Sequence, residues 1–310
     1  MRVILAPMEG VLDHRMRQLL SELNPYDLCV TEFVRVVSQP VSDKVFYRLA
    51  PELKRGGKTR NGTPVRVQLL GQDPDWLAHN AARAIELGSP GVDINFGCPA
   101  KTVNRSKGGA VLLKEPELIY RIVQAMRQAV PSDQVLSAKI RLGWDCHSRT
   151  MEIAQAIESA GANELAIHAR TKADGYRAEA IKWAAIAPVA QALSIPVIAN
   201  GEITDFAAGQ RCQQASGCTD LMLGRGALSV PNLAAVVKND VAPLSWSAIQ
   251  GVLTEYVALE VSGDKERYFP NRIKQWFGFL RQAYPEADAL FGPLRRLKRS
   301  EEIIALLEAA

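Results

Sequence analysis

The sequence has little of what would assign it to a special class. Its five cysteines, Cys29, Cys98, Cys146, Cys212 and Cys218, are odd in number and include no Cys-x-x-Cys pair. That argues against a disulfide framework and against a structural zinc site, so the thiols read as reduced and no metal is expected. Long apolar runs are missing as well. No segment approaches the ~20 apolar residues of a membrane span, and the opening MRVILAPMEG is too short for the core of a signal peptide. The expectation is a cytoplasmic protein without a membrane partner. Charge of one sign is scarce: the formal net charge is +4, with a pI near 8.8, which permits an anionic partner without requiring one. There is no low-complexity tract and no complete GxGxxG fingerprint. His14, His79 and His147 stand in no pattern that pairs them.

What is present is ordinary in amount and regular in order. Apolar residues make up 47% and charged residues 23% of the chain, enough for a sizeable core. A single α/β barrel needs about 250 residues, so a chain of 310 has room for one barrel and a modest appendage. Short β-rich apolar runs recur eight times: RVILAP from residue 2, DLCVTEF from 27, PVRVQLLG from 64, GVDINFGCP from 91, VLSAKIRLG from 135, ELAIHAR from 164, IPVIANG from 195 and DLMLGRG from 220. Between them lie stretches such as PDWLAHNAARAIELG and PELIYRIVQAMRQAV, whose apolar residues keep helical spacing.

Eight alternating units predict an α/β fold, a closed (β/α)8 TIM barrel with a parallel sheet, over an open doubly wound sheet. The ends of the runs favour the barrel. Pro7 and Met8, Glu32, Gln68, Asn95 and Cys98, Lys139 and Arg141, His168 and Arg170, Asn200 and Arg225 stand where each strand stops, and a barrel gathers such positions on one face. The alternation stops near Asp240, and VAPLSW reads as a hinge. Beyond it SWSAIQGVLTEYVALEVSG, PNRIKQWFGFLRQAY and SEEIIALLEA read as helices, with Ser245 and Ser300 as N-caps and Pro285 as a stop. The expected division is a catalytic barrel over residues 1–242 and a small all-helical domain over 243–310.

The stretch INFGCPAKTV singles out one thiol. Gly97 and Pro99 turn the backbone around Cys98 and present its side chain at the end of a strand. Farther on, IANGE and LGRGAL put two glycine-bearing turns where barrels build phosphate sites from backbone N–H groups, with Arg225 adding charge; the ordinary reading is a pair of tight barrel turns. Lys139 and His168 can set a positive charge or a donor beside a cofactor ring that becomes anionic on reduction, and Gln68 can hydrogen-bond ring heteroatoms, which fits a flavin. His168 also reads as a satisfied barrel histidine. Lys139 alternatively suits a Schiff-base lysine in a flavin-free barrel, since a lysine in an apolar strand must be solvated, paired or functional.

Taken in order, APMEGVLD, NFGCPAKTVNRSKGGAVLL, KIRLGW, HARTKADGY, IANGEI and LGRGAL resemble the flavin-dependent tRNA-dihydrouridine synthases through the whole chain. TEFVRV, the KTVNRSKGG loop and RIKQWFGFLR are most similar to a bacterial branch of that family. The resemblance implies an enzyme that reduces the C5–C6 double bond of a D-loop uridine in tRNA, at position 16, with FMN recharged by NADPH. A hydride passes from flavin N5 to C6, and Cys98 gives a proton to C5. A thiol with a pKa of about 8.5 is still protonated at neutral pH yet acidic enough to release its proton.

By the same resemblance Ala6, Pro7, Met8, Gln68, Lys139, His168, Asn200, Gly201, Glu202, Gly224 and Arg225 match FMN-binding positions. Asn95, Arg141 and Tyr176 match positions that hold the target uridine and its neighbours, a base that must leave its stack to be read. Their ordinary readings are a turn cap for Asn95 and a packed aromatic for Tyr176. In the helical domain Ile273, Trp276, Phe277 and Leu280 share a face that reads as core. Arg272 and Lys274 border it, Phe279 lies near Arg272, and LRRLKRS adds Arg295, Arg296, Lys298 and Arg299. Cations interleaved with an aromatic suit a nucleic-acid backbone and an unstacked base. Arg35, Arg272, Lys274, Phe279 and Arg295 match tRNA contacts of that branch. Arg105 and Lys107 depart from the family pattern, occupying a loop expected to be richer in glycine. A monomer is expected. The rival readings are a flavoenzyme for a free pyrimidine and a tRNA-binding folding helper without catalysis.

Overall fold

The computed structural model describes residues 1–262 and 266–309. Eight strands form a closed parallel barrel in sequence order: β1 (Val3–Leu5), β2 (Leu28–Arg35), β3 (Val65–Leu70), β4 (Val92–Asn95), β5 (Leu136–Gly143), β6 (Glu164–Thr171), β7 (Val197–Asn200) and β8 (Asp220–Leu223), which pairs back with β1. Each strand lies on one of the eight apolar runs, β2 extending two residues and β6 one residue past its run, and closure excludes the open sheet. Nearly all strand residues are buried because helices cover the outer face and side chains fill the inside. The helices start where acidic caps allow. Asp13 accepts from the backbone N–H of Arg15 and Met16, both at 3.1 Å, to open His14–Glu22, and Asp73 does the same for Pro74–Glu86. In Pro116–Ala129 the buried residues Ile119, Ile122, Val123 and Met126 form the stripe that packs inward.

The barrel interior is chemically divided. Ile4, Ala6, Leu28, Val30, Ala166, Ile198 and Met222 make a small apolar cluster within it, distinct from the larger core between strands and helices. Across β3, β4 and β5 the buried residues include the polar Arg66, Gln68, Asp93, Asn95, Ser137 and Lys139. At the N-terminal ends of the strands Arg66 and Arg2 share Glu164, the latter at 2.8 Å, and Arg2 also binds Asp220 at 2.7 Å. Barrels usually fill this space with branched apolar side chains, so a polar half-interior marks it as serving the site above.

Beyond the barrel, the described residues form the α-helices Trp246–Val261, Phe269–Leu280, Pro285–Leu294 and Ser300–Glu308. Ser245 caps the first, its side chain accepting from Ala248 N–H at 3.3 Å. Two expectations are corrected. Pro285 opens a helix and does not stop one, because proline at the first helical position gives up an N–H that has no intrahelical partner anyway. Ser300 is already helical; Arg299 holds the cap position without a side-chain hydrogen bond. Ile273, Trp276, Phe277 and Leu280 are buried as expected, and Trp276 Nε1 donates to the Leu228 carbonyl at 3.0 Å, joining this helix to the segment after β8.

Candidate active site

At the C-terminal ends of the strands a cleft of about 1720 Å³ gathers residues from every strand end. Ala6, Pro7 and Met8 enter it after β1, Arg35 from β2, Gln68 from β3, Asn95 and Cys98 from β4 and its turn, and Lys139 and Arg141 from β5. His168 and Tyr176 come from β6 and the loop after it, Asn200, Gly201 and Glu202 from β7, Gly224 and Arg225 from β8, and Phe279 from the helical segment. Arg272, Lys274 and Arg295 lie outside it.

Cys98 is held by its backbone. Asn95 Oδ1 accepts the N–H groups of Gly97 and Cys98, both at 2.9 Å, while the Cys98 carbonyl accepts from Ala110 N–H at 3.0 Å and Asn104 Nδ2 at 2.9 Å. Asn95 is thus the turn cap of its ordinary reading, and it also lines the cleft. Gly109, at φ +68°, passes so near that an added Cβ would lie 2.8 Å from the Cys98 carbonyl oxygen. Burial pushes the Cys98 thiol above its usual value, assisted by the Glu9 carboxylate and opposed by Arg141 and Lys139. It is therefore a protonated, partly accessible acid at neutral pH. Arg141 secures the neighbouring loop, donating through Nε to Gly97 O at 2.9 Å and through Nη1 to Gly175 O at 2.9 Å. Its guanidinium and that of Arg225 lie 5.0 and 5.1 Å from the centre of the exposed Tyr176 ring.

Lys139 is 9% exposed and its ammonium makes no hydrogen bond or ion pair among the described residues. Burial, then the Arg141 charge, pushes it down to about 8. His168 contributes no charge. Burial and four surrounding cations hold it well below its usual value, and Arg170 Nη1 stands 3.1 Å from Nε2. Because arginine only donates, Nε2 accepts and Nδ1 carries the proton, which makes His168 a neutral donor. Of the two roles read from sequence, the donor survives.

The two glycine turns form a cradle. Gly201 (φ +120°) and Glu202 (φ +50°) have consecutive left-handed backbones, and the N–H groups of Gly201, Glu202, Gly224 and Arg225 meet no acceptor among the described residues. The Glu202 side chain is turned away to Arg225 and to Arg170, the latter at 3.0 Å. Unfilled N–H groups beside Arg225 and an unpaired ammonium at Lys139 fit a group with an anionic phosphate at one end and a ring that accepts hydrogen bonds and gains negative charge at the other.

Two contributors, Glu9 and Asp93, escape a reading of the sequence, and a third, Arg170, is read there without its partners. Arg170 fixes the His168 tautomer and Glu202; Glu9 lines the cleft near Cys98, its carboxyl pushed up to about 7 by burial and by Glu32; and Asp93 lies beneath Gln68. Arg170 is legible as a strand-end residue, but its partners are set by the barrel. Arg272 bonds Asp13 at 3.0 Å and Glu260 at 3.2 Å, Lys274 donates to the Leu297 carbonyl, and Arg295 is exposed with its guanidinium 5.8 Å from the Phe291 ring centre. Arg35 binds Ser106 Oγ at 2.6 Å on the loop that carries Arg105 and Lys107.

Comparison with known proteins places this geometry in context. Residues 4–286 match the family model described as dihydrouridine synthase (Dus). The chain is 59% identical over 304 residues to the tRNA-dihydrouridine(16) synthase of Vibrio vulnificus, covering 98% of this chain and 96% of that one. It is 58% identical to the protein of the same name from Yersinia pestis, with 99% of each chain covered. Among solved structures, a variant of NCR from Zymomonas mobilis superposes with a TM-score of 0.54 at 14% identity, over 79% of this chain and 88% of that one. A morphinone reductase mutant in complex with tetrahydroNAD gives 0.52 at 12%, over 78% and 87%. Those two likenesses concern the barrel fold. A family match across the barrel and into the terminal helices, together with relatives of such identity along the whole length, means that the chain belongs to the dihydrouridine synthase family.

Proposed function

We propose that this chain reduces uridine 16 in the D-loop of tRNA to 5,6-dihydrouridine, with FMN bound in the barrel and NADPH as the source of electrons. The observation that carries the reading is the joint presence in one cleft of a protonated thiol at Cys98 and, at Lys139, an ammonium with no hydrogen bond or ion pair among the described residues. Position 16 rests on the names borne by the relatives.

FMN, when bound, supplies the hydride that adds at C6 of the uracil. The protein must then do three things. The N–H groups of Gly201, Glu202, Gly224 and Arg225 hold the phosphate, with Arg225 as counter-charge. Lys139, as an ammonium, and the Nδ1–H of His168 would supply a positive charge and a neutral donor to the ring. Cys98 delivers its proton to C5, leaving a thiolate that is reprotonated from solvent. Asn95 has an N–H left over for a pyrimidine carbonyl, and Tyr176 between two guanidiniums offers a stacking surface to an unstacked base.

The test uses flavin-loaded Cys98→Ala. It should bleach with NADPH at the parent rate but form dihydrouridine in tRNA at least about a hundredfold more slowly, the usual scale of general acid catalysis. Normal product formation in the variant would remove the proton-donor role. Lys139, held down to about 8, also suits a Schiff-base nucleophile. Borohydride trapping of a carbonyl substrate on Lys139 would favour that reading, and a flavin spectrum in the purified protein would eliminate it.

A further inference from the structure

Strand β4 carries two inward polar residues one pleat apart, Asp93 and Asn95, and only Asn95 lines the cleft. Asp93, 2% exposed, lies in register between Gln68 of β3 and Ser137 of β5. Its Oδ2 accepts from Gln68 Nε2 at 2.6 Å and its Oδ1 from Ser137 Oγ at 2.6 Å. Gln68 Oε1 accepts in turn from Asn95 Nδ2 at 2.8 Å, and Asn95 Oδ1 takes the N–H groups of Gly97 and Cys98. Two buried amides, Gln68 and Asn95, thus join a carboxylate low in the barrel to the backbone of Cys98.

The bond directions in this chain are set from both ends, by the Asp93 carboxylate below and by the backbone donors of Gly97 and Cys98 above. A side-chain amide turned over by 180° has nearly the same shape, so its orientation is decided by what it faces. Burial pushes the Asp93 carboxyl up to about 6, so at neutral pH it is mainly ionised, and an ionised carboxylate only accepts. Gln68 must therefore give Asp93 its N–H and present its oxygen to Asn95; Asn95 must then give an N–H to Gln68 and present its oxygen to the Cys98 turn. On the far side Arg66 Nη1 donates to Ser137 Oγ at 3.0 Å, which commits the hydroxyl proton to Asp93. Without Asp93 the Gln68 amide loses the acceptor that holds its Nε2, and its oxygen is no longer fixed against Asn95 Nδ2. Asn95, whose Oδ1 stays committed to the Gly97 and Cys98 N–H groups, keeps its orientation but loses the support on its other side, which loosens the turn.

We infer that Asp93 is a positioning residue: by accepting the Gln68 N–H it holds the Gln68 amide, whose oxygen anchors the Asn95 side chain that receives the Gly97 and Cys98 N–H groups, and so it steadies where the Cys98 thiol is held. The consequence for turnover rests on the reading of Cys98 as the proton donor; the consequence for the turn does not.

The experiment compares flavin-loaded parent, Asp93→Ala and Asp93→Asn in three measurements: bleaching by NADPH, single-turnover reduction of tRNA, and alkylation of Cys98 by iodoacetamide followed by mass spectrometry of its peptide. Asp93→Ala should slow tRNA reduction by about tenfold or more, the scale expected when a reacting group moves by a fraction of an ångström, by a larger factor than it slows bleaching, and change the alkylation rate by about threefold or more. Asp93→Asn, whose carboxamide oxygen still accepts the Gln68 N–H, should bring both rates back to within about threefold of the parent. Parent-like rates in Asp93→Ala overturn the inference. So does an Asp93→Asn as slow as Asp93→Ala, which would assign Asp93 to charge balance against Arg66. Should Asp93→Ala not accumulate, Gln68→Leu breaks the chain one link later, and its cofactor-free protein must show the same shift in alkylation. If the parent bleaches but leaves tRNA unreduced, the proposed function fails while the alkylation rates still decide the positioning role.

Discussion

Lys139 bears an electrostatic cost that the fold alone does not repay. Its side chain is largely buried and its ammonium, in the cleft, makes no hydrogen bond or ion pair among the described residues, so replacing it with methionine of similar length should stabilise the cofactor-free protein by about 1–3 kcal/mol at pH 7. The pH dependence has a definite sign. With a folded value near 8 against an ordinary 10.5, the folded state binds fewer protons than the unfolded state in that window, so stability of the parent rises with pH from about 8 to 10.5. Urea denaturation of Lys139→Met should lack this rise; an unchanged slope would mean that another group carries it. Individual residues are legible in proportion to how local their signals are. Cys98 stands out because Gly97 and Pro99 flank it. Asp93 does not, because in VDIN it is one polar residue in a strand and its meaning depends on Gln68 and Ser137, far off in sequence. His168 can be placed in the cleft but not assigned a charge, since the cations that neutralise it come from other strand ends and from its own strand.

The loop after β4 shows the same division between elements. Lys107 takes φ +56°, a conformation that glycine adopts more easily, so the departure seen at this position carries a real backbone cost. Gly109, at φ +68°, has no such freedom to vary. Gly109→Ala should destabilise the protein by about 1–3 kcal/mol and slow dihydrouridine formation more than flavin reduction, because the added methyl meets the Cys98 carbonyl and Cβ. Thermal denaturation and paired assays of the two half-reactions check this, and equal effects on both would locate the damage elsewhere. The strands and most helices are readable from apolar period and caps. The helix Pro285–Leu294 is not, since Pro285 carries the same signal whether it ends one helix or begins another.

At the scale of the molecule, the terminal helices are bound to the barrel by burial and by charge. Glu260, fully buried, is shared by Arg15 at 3.4 Å and Arg272 at 3.2 Å, and Arg272 also holds Asp13 at the cap of the first barrel helix. Glu260→Ala should cost about 3 kcal/mol, read as a loss of thermal stability, because it leaves two guanidiniums short of a carboxylate away from solvent. Truncation after Asp240 would strip Trp276 and its neighbours from the barrel, so it tests folding before it tests tRNA binding. Exposed Arg295 is the cleaner probe. On the proposed function, Arg295→Ala should weaken tRNA binding with little change in turnover at saturation and reduce the salt slope of binding by about 0.7–0.9 for each phosphate that the arginine neutralises. An unchanged slope would remove Arg295 from the tRNA surface.

The sequence by itself determined the eight β/α units, the face on which their ends meet, the helical appendage and the exposed turn at Cys98, because each is written in local period, caps and turn residues. The tertiary structure alone decided which way the buried groups point: the neutral tautomer of His168, the unpaired ammonium of Lys139, the latch through Arg272 and Glu260, and the amide chain above Asp93. Those depend on the register of neighbouring strands and on the low dielectric that closure creates. A chain read one residue at a time carries neither.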